Sequence, residues 1–419
     1  MRGLFLLIHR WAGLFIAVFL FIAGMTGAVI SWDRELDAWL NPHLFAARSG
    51  DAGAHPLPAL ELAQKVEAAD PRAKVTYLPL LLKPGQTAQL SVGPRTDPAT
   101  GKPFALDYNQ VFVEPSRGEV VGKRLWGRAS LNAEDLMPFL YRLHYSLHIP
   151  GFMGVEGWGL WLMGIVAIVW LFDCFVGFYL TLPASAASRN RTIGPAPKPW
   201  WAQWRRSWRI KAPSSFYRLN FDVHRAFGLW LWVVLAIVSF TSVSMNLGDE
   251  VVRPIVSKVS TLTPGPFEQR QVSPTAIVPE VSFAAAIDTG RQEAARRGWA
   301  EDVGSVFYGQ HHGIYAVMFF LPGADHGSGG MGVKRLYVDA RHGAVIGSQA
   351  PWEGTAGDVF MQLQFPLHSG RIAGLAGRIL LSVTGVVVAI LSLTGIVIWF
   401  KKRQARLVTG KRRQRRSVA

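Results

Sequence analysis

Four of the eleven histidines occur in sequence contexts that recur along the chain. His9 and His224 both open the pattern His-Arg-x-x-Gly-Leu at the start of an apolar stretch. His148 and His368 each follow a leucine shortly before a later apolar stretch. Neutral imidazole is the commonest side-chain ligand of protein metal centres. The repeated contexts therefore predict two histidine pairs, each able to hold a metal centre.

The elements that must position these histidines are four apolar stretches, at residues 11–32, 157–188, 226–248 and 379–400. A helix needs about 20 apolar residues to cross the hydrocarbon core of a bilayer. Asp173 is the only Asp, Glu, Lys or Arg in the four stretches. Because backbone groups in lipid must pair internally, each stretch is predicted to be a membrane-spanning helix. The first is too long for the apolar region of a cleaved signal peptide and is expected to remain as an anchor.

The composition of the 419 residues fits that prediction. Half of the residues are hydrophobic, 17% are charged, the mean hydropathy is +0.20 and the formal net charge is +16. This apolar content excludes a disordered chain, and the small charged fraction argues against a soluble nucleic-acid-binding protein. With one cysteine, the chain cannot form an intrachain disulfide or a cysteine-ligated iron–sulfur cluster.

The positive charge lies in two segments. Residues 183–225 hold nine Lys or Arg and one acid, and residues 401–419 hold nine and no acid, so the two together carry +17. The positive-inside rule assigns both segments and both termini to the cytoplasm. The long segments 33–155 and 249–372 are then outside, in the periplasm if the membrane is a bacterial inner membrane. The basic segments are also expected to contact lipid headgroups.

The two halves of the chain repeat each other. Thr26 aligns with Thr241, and residues 111–122 and 336–347 both predict a strand, a glycine-containing turn and a second strand. A helix is predicted before each hairpin, near 58–69 and near 282–298. The fold class is therefore an α-helical membrane protein with four spans in two parallel repeats, each with a small outer α+β domain. The predicted order is span 1 in 1–32, outer domain 1 in 33–155, span 2 in 156–182, a cytoplasmic loop in 183–220, span 3 in 221–248, outer domain 2 in 249–372, span 4 in 373–400 and a cytoplasmic tail in 401–419.

A two-fold axis through such repeats would bring His9 opposite His224 on the cytoplasmic side and His148 opposite His368 on the outer side. A planar tetrapyrrole needs this arrangement, with one imidazole on each face of the ring, and helix bundles commonly build such sites from facing side chains. The alternative is that these histidines only form hydrogen bonds between helices.

His144 is a rival of His148, because residues four apart share one face of a helix. The other copy has Gln364 at the place that matches His144, so the repeat favours His148. His144 is then expected to contact a haem propionate or to act as an alternate ligand. Arg378, at the outer end of span 4, is expected to bond a propionate or to reach lipid headgroups. Asp173 is expected to pair with Arg10 or Arg225, or to relay protons.

The sequence contains no motif for binding a dinucleotide electron donor or for ATP-driven transport. Residues 327–332 match G-x-G-x-x-G, but a strand at 334–338 is predicted to follow where a dinucleotide site needs a helix. A phosphate-binding G-x-x-x-x-G-K-[ST] loop is absent from the sequence. An electron donor must therefore be a membrane quinol or another protein, such as a cytoplasmic reductase.

These motifs together resemble the PepSY-associated transmembrane family, which includes inner-membrane ferric-siderophore reductases, and the resemblance covers nearly the whole chain. It implies two haem b groups, with His9, His148, His224 and His368 as axial ligands. It also implies electron flow from the cytoplasm to a periplasmic ferric siderophore, with release of Fe(II) for iron uptake. The second copy departs from the family pattern, since Asp339-Ala340 replaces Glu114-Pro115.

Two other functions are compatible with the sequence. One is a non-redox siderophore permease or its accessory subunit, which paired repeats also fit, although the predicted spans lack the Gly/Pro-broken midplane segments typical of such sites. The other is a regulatory or interaction protein whose outer domains bind peptides, by analogy with other PepSY domains.

Overall fold

The computed structural model describes residues 1–48, 55–153, 157–183 and 199–417. It forms two compact units. The helical unit consists of Met1–Ser31, Tyr141–Val252 and Leu367–Ala419, and the sheet unit consists of Trp32–Leu140 and Arg253–Pro366. Arg189, Arg191 and Lys198 of the predicted cytoplasmic loop lie outside the described residues.

The chain folds into helices and strands with the following bounds. The helices are α1 Arg2–Ile30, α2 Asp33–Leu40, α3 Pro42–Phe45, α4 Ala59–Ala69, α5 Ala133–Ser146, α6 Trp158–Thr181, α7 Trp200–Trp204, α8 Phe216–Trp230, α9 Trp232–Asn246, α10 Arg253–Val256, α11 Pro266–Gln269, α12 Phe283–Arg296, α13 Ala356–Ser369 and α14 Gly374–Ser417. The strands are β1 Ala73–Pro79, β2 Ala88–Pro94, β3 Gln110–Val113, β4 Val120–Arg124, β5 Val303–Gly309, β6 Ile314–Phe319, β7 Lys334–Asp339 and β8 Val345–Gln349.

Within the described residues, α1, α6 and α14 are long and apolar enough to cross a membrane. Helices α8 and α9 meet that test only as a pair, which is bent by 71° at Leu231, and the count is four if the pair forms one span. The stretch predicted as the third span therefore contains two helices rather than one. Helix α8 packs on α14, whereas α9 packs on α6, so the two halves follow different neighbours. Helix α14 also runs through the predicted tail as far as Ser417.

Helices α1 and α14 cross in direct backbone contact at Gly24 and Gly385. A Cβ atom added to Gly24 would lie 2.5 Å from the carbonyl oxygen of Gly385, and one added to Gly385 would lie 2.4 Å from that of Gly24. Helices in lipid have no hydrophobic force between them, so small residues that permit close van der Waals contact stabilise their association. The crossing fixes the helix that carries His9 against α14.

The sheet unit contains one antiparallel sheet of eight strands in the order β4-β3-β2-β1-β5-β6-β7-β8. The two predicted hairpins are confirmed as β3–β4 and β7–β8, and the two predicted helices as α4 and α12. The two predicted outer domains share this sheet, because β1 pairs with β5 through Tyr77–Phe307 and Leu78–Val306. If each half formed its own four-stranded sheet, β1 and β5 would be edge strands with unpaired backbone N–H and C=O groups. Pairing β1 with β5 satisfies these groups in both strands.

A buried carboxylate lies where α4 leads into β1. Asp70 is 7% exposed and accepts hydrogen bonds from Arg72 at 2.8 Å and from the Tyr108 hydroxyl at 2.8 Å. The hydrogen bonds from Arg72 hold the pKa of this carboxyl below its usual range, against the opposing effect of burial. Burial and the bond to Asp70 raise the pKa of Tyr108 to about 12.

Candidate functional site

The first histidine pair, His9 and His224, lies in the helical unit. His9 is on α1 and His224 is on α8. The centres of the two imidazole rings are 6.2 Å apart, and the ring planes are inclined at 59°. The structure thus brings together the two residues that the repeated His-Arg-x-x-Gly-Leu pattern predicted to face each other.

The second pair is His144 and His368, in the last turns of α5 and α13. Their ring centres are 6.1 Å apart and their planes are inclined at 58°. The expected partner, His148, lies beyond the end of α5 in a turn where Leu147 and His148 have φ of 52° and 56°. That left-handed backbone takes His148 off the helical face that carries His144. The structure therefore pairs His144, and not His148, with His368.

A different alignment of the two halves of the sequence matches His144 with His368. With an offset of 224 residues, Met137 matches Met361, Leu143 matches Leu367 and His144 matches His368. The offset of 220 matches His148 with His368. It therefore aligns a residue beyond the end of α5 with a residue inside α13. The matching methionines, which precede the segments 143–148 and 363–368 that the offset of 220 aligns, are the signal that sequence reasoning missed.

The ring separations fit a metal held between two imidazoles. A metal–nitrogen bond of about 2 Å, plus about 1 Å from that nitrogen to the ring centre, on each side, gives ring centres about 6 Å apart. Both observed separations agree with this value, and both exceed the distance of rings in stacking contact. Each pair has the spacing of a bis-imidazole site.

The outward nitrogens of the first pair are fixed by hydrogen bonds. Nδ1 of His9 lies 2.9 Å from Oδ1 of Asp173. Nδ1 of His224 lies 3.1 Å from the Leu391 carbonyl and 2.9 Å from the Thr394 hydroxyl. A carboxylate or carbonyl oxygen only accepts hydrogen bonds, so Nδ1 carries the hydrogen and Nε2 keeps its lone pair. Asp173 thus contacts His9 and not the expected Arg10 or Arg225.

The second pair repeats this arrangement. Nδ1 of His144 donates to the Ala23 carbonyl at 3.0 Å and lies 3.1 Å from the Thr26 hydroxyl. Nδ1 of His368 lies 3.1 Å from the Thr241 hydroxyl. Each threonine directs its own hydrogen to a carbonyl one turn earlier, so its oxygen accepts from the histidine. All four imidazoles therefore present Nε2 with a free lone pair, the form that ligates metal.

Glycines lie beside three of the four rings. A Cβ atom added to Gly177 would lie 3.4 Å from Cε1 of His9, and one added to Gly395 would lie 3.4 Å from Cε1 of His224. A Cβ atom at Gly27 would lie 2.9 Å from Cε1 of His144. The last contact is too short for a side chain, so Gly27 is needed for α1 to approach the His144 ring, whereas the other two positions are at ordinary contact distance.

A cavity of about 840 Å³ adjoins the first pair. This volume lies within the range of about 300–1,000 Å³ of protein sites for cofactors and small ligands. Its wall is mainly apolar and includes Leu20, Trp170, Trp232 and Leu235, together with His9 and His224. Five basic side chains also line it: Arg10, Arg225, Lys402, Arg403 and Arg406. The cavity therefore combines an apolar interior, two facing imidazoles and cations suited to anionic groups.

Two further observations concern the predicted site. Arg378 donates from Nε and Nη2 to the Ser31 carbonyl at 3.0 and 2.7 Å, at the end of α1, where a cation stabilises the helix dipole. In the part of the chain that the structure describes, no group of three or more His, Cys, Asp or Glu side chains could hold a metal ion alone.

The chain was compared with curated proteins and with protein families. No curated protein matches the chain. The family described as the PepSY-associated TM region matches residues 6–402, which is nearly the full length and includes all four paired histidines. The chain therefore belongs to the PepSY-associated TM family, and it is a multi-pass membrane protein of that family with an antiparallel α+β part.

Proposed function

We propose that this protein is an inner-membrane reductase that passes electrons through two bis-histidine haem sites to a periplasmic ferric siderophore. The single observation that carries the proposal is the presence of two histidine pairs with ring centres 6.2 and 6.1 Å apart. In all four imidazoles, hydrogen bonding at Nδ1 leaves Nε2 available as a ligand. Two such pairs in one bundle suit electron transfer in steps.

The proposed architecture is four spans in two parallel repeats, with α8 and α9 together forming the third span. Matched positions support it, since His9 and Thr26 on α1 correspond to His224 on α8 and Thr241 on α9. The strand order, which is symmetric about β1 and β5, supports it as well. The +17 in residues 183–225 and 401–419 favours a cytoplasmic position for both termini and for the first histidine pair.

The side chains of this protein would hold two haem b groups as follows. His9 and His224 would ligate one iron, and His144 and His368 the other. The basic residues of the cavity would bond the carboxylates of the first group. Haem supplies a one-electron Fe(III)/Fe(II) couple when bound. The chain's own part is to fix the four imidazole tautomers, to surround the site with apolar side chains and to exclude water.

The chemistry of iron release supports a ferric siderophore as the acceptor. Hard oxygen donors bind Fe(III) more tightly than Fe(II), because Fe(III) is the smaller and more highly charged ion. One electron delivered to the chelate therefore weakens it, and no nucleophile or proton donor is required of the protein. The electron donor would be a membrane quinol or a cytoplasmic reductase.

The proposal can be tested without knowledge of the donor. The purified protein is reduced with a limiting amount of dithionite and mixed with a ferric siderophore and a ferrous-specific chelator. We expect the haem bands to reoxidise while about one Fe(II) is trapped per electron. His368→Ala, which removes a ligand of the outer site, should slow both processes at least tenfold. Bands that stay reduced with every ferric siderophore would rule out this acceptor.

A siderophore permease is the second candidate, and the 71° bend at Leu231 favours it, because interrupted spans form the binding sites of many transporters. A gallium siderophore separates the two functions, since Ga(III) has the charge and size of Fe(III) but is not reduced under these conditions. A permease would carry both complexes into proteoliposomes, whereas the proposed reductase would act on the iron complex alone.

A further inference from the structure

The four paired histidines differ in the group that accepts the hydrogen bond from Nδ1. Three of them donate to neutral oxygens, either backbone carbonyls or threonine hydroxyls. His9 alone donates to a carboxylate, Oδ1 of Asp173, at 2.9 Å. The two repeats are therefore alike in their imidazoles and unlike in the charge behind one of them.

Asp173 is well placed to act through His9. It lies inside α6 and is 8% exposed, so water screens its charge little. His9 is its ionic partner among the described residues. Gly13, one turn after His9 in the His-Arg-x-x-Gly-Leu pattern, lies beside the carboxylate, since a Cβ atom there would be 3.9 Å from Oδ2, an ordinary contact distance.

A carboxylate that accepts from Nδ1–H makes the opposite nitrogen a stronger electron donor to a metal. A stronger donor stabilises the oxidised iron relative to the reduced iron, and hydrogen bonding behind an axial ligand is one of the means by which proteins set haem potentials. The cations Arg10, Arg225, Lys402, Arg403 and Arg406 act in the opposite sense. Lys402, Arg403 and Arg406 are exposed, however, and so are screened by water and salt.

We infer that Asp173 is a positioning residue that lowers the reduction potential of the His9/His224 site below that of the His144/His368 site. The inference rests on the proposed function. It gives the path a direction: one electron leaves the first site and one arrives at the second, with no bond made or broken, and the step is downhill toward the outer side. The sequence difference between the repeats would thus favour electron flow toward the outer side.

The test is a spectroelectrochemical titration of the purified holoprotein. The wild type should titrate as two one-electron components. In Asp173→Asn and Asp173→Ser, where a neutral acceptor replaces the carboxylate, the lower component should move to a more positive potential while the upper one stays in place. Asp173→Glu should restore most of the difference. Thr394→Val is the matched control, because His224 keeps the Leu391 carbonyl, and it should move neither component appreciably.

Each outcome decides the inference separately from the proposed function. A protein without haem bands would refute the proposed function itself. Two wild-type components, with the lower one unmoved in whichever neutral variant retains both haems, would overturn the role of Asp173. So would an Asp173→Glu variant whose lower component lies as far positive as in the neutral variants, since the charge of the acceptor would then not set the potential.

Discussion

His144 and His148 are four residues apart, but only His144 lies opposite His368. We therefore expect His144→Ala to lower the haem content from two groups per chain to about one. His148→Ala, the matched control, should leave two. The haem-to-protein ratio of purified protein, measured by the pyridine haemochrome method, checks both variants. One haem in His148→Ala and two in His144→Ala would reverse the ligand assignment.

The residues of the first pair were predictable from sequence because their pattern repeats with few changes. The choice between His144 and His148 depends on where α5 ends, and the left-handed turn at Leu147 and His148 has no glycine to mark it. The bond from His9 to Asp173 depends on the rotation of α6 about its axis. Apolar residues occur on every side of this helix, so its sequence does not indicate which side faces His9.

Asp70 gives a residue-scale prediction for the sheet unit. Because its folded pKa is lower than the unfolded value of about 4, its contribution to the free energy of unfolding is complete above pH 4 and is lost as the pH falls further. Asp70→Asn should lower that free energy by about 1–2 kcal/mol at pH 7. Thermal unfolding followed by circular dichroism should show the difference shrinking at pH 3.

The control for Asp70 is Asp288→Asn, since the Asp288 side chain is 66% exposed and its contact with Arg291 is long, at 3.6 Å. This change should have little effect at either pH, as expected of a surface ion pair. An Asp70→Asn difference of the same size at pH 7 and pH 3 would show that the carboxylate's charge contributes nothing to stability.

At the scale of elements, the crossing of α1 and α14 should depend on Gly24. A Cβ atom there would be forced to within 2.5 Å of the Gly385 carbonyl, so Gly24→Ala must separate the helices. We expect a loss of about 1–3 kcal/mol, as for other overpacked contacts, and a lower melting temperature in detergent.

Gly3→Ala is the matched control on the same helix, because no atom lies within 4 Å of the added Cβ. It should melt like the wild type, or slightly higher, since alanine favours the helix. Equal melting temperatures for Gly24→Ala and the wild type would mean that the close crossing is not a stabilising contact.

The elements themselves were largely predictable, and their association was not. Residues 111–122 and 336–347 indicated hairpins through alternating apolar residues and glycine turns, and both hairpins formed. The pairing of β1 with β5 joins residues more than 200 positions apart. The sequence of either strand is also compatible with an unpaired edge strand, so it does not indicate this pairing. The bend at Leu231 has no proline at its centre, so the local sequence did not indicate it.

At the scale of the whole molecule, the charge distribution predicts the topology. In a Cys174→Ser background, Asp288→Cys on α12 should react with a membrane-impermeant maleimide in intact spheroplasts. Ala405→Cys on α14 should react only after lysis, because the positive-inside rule assigns residues 401–419 to the cytoplasm. Labelling of Ala405→Cys in intact spheroplasts would contradict this orientation.

The helical unit is proposed to hold two haem groups between paired histidines. The most direct measurement is a reduced-minus-oxidised visible spectrum of the protein purified from cells with adequate haem, combined with the haem-to-protein ratio. We predict low-spin b-type bands and two haems per chain. A spectrum without haem bands from folded protein would contradict the account.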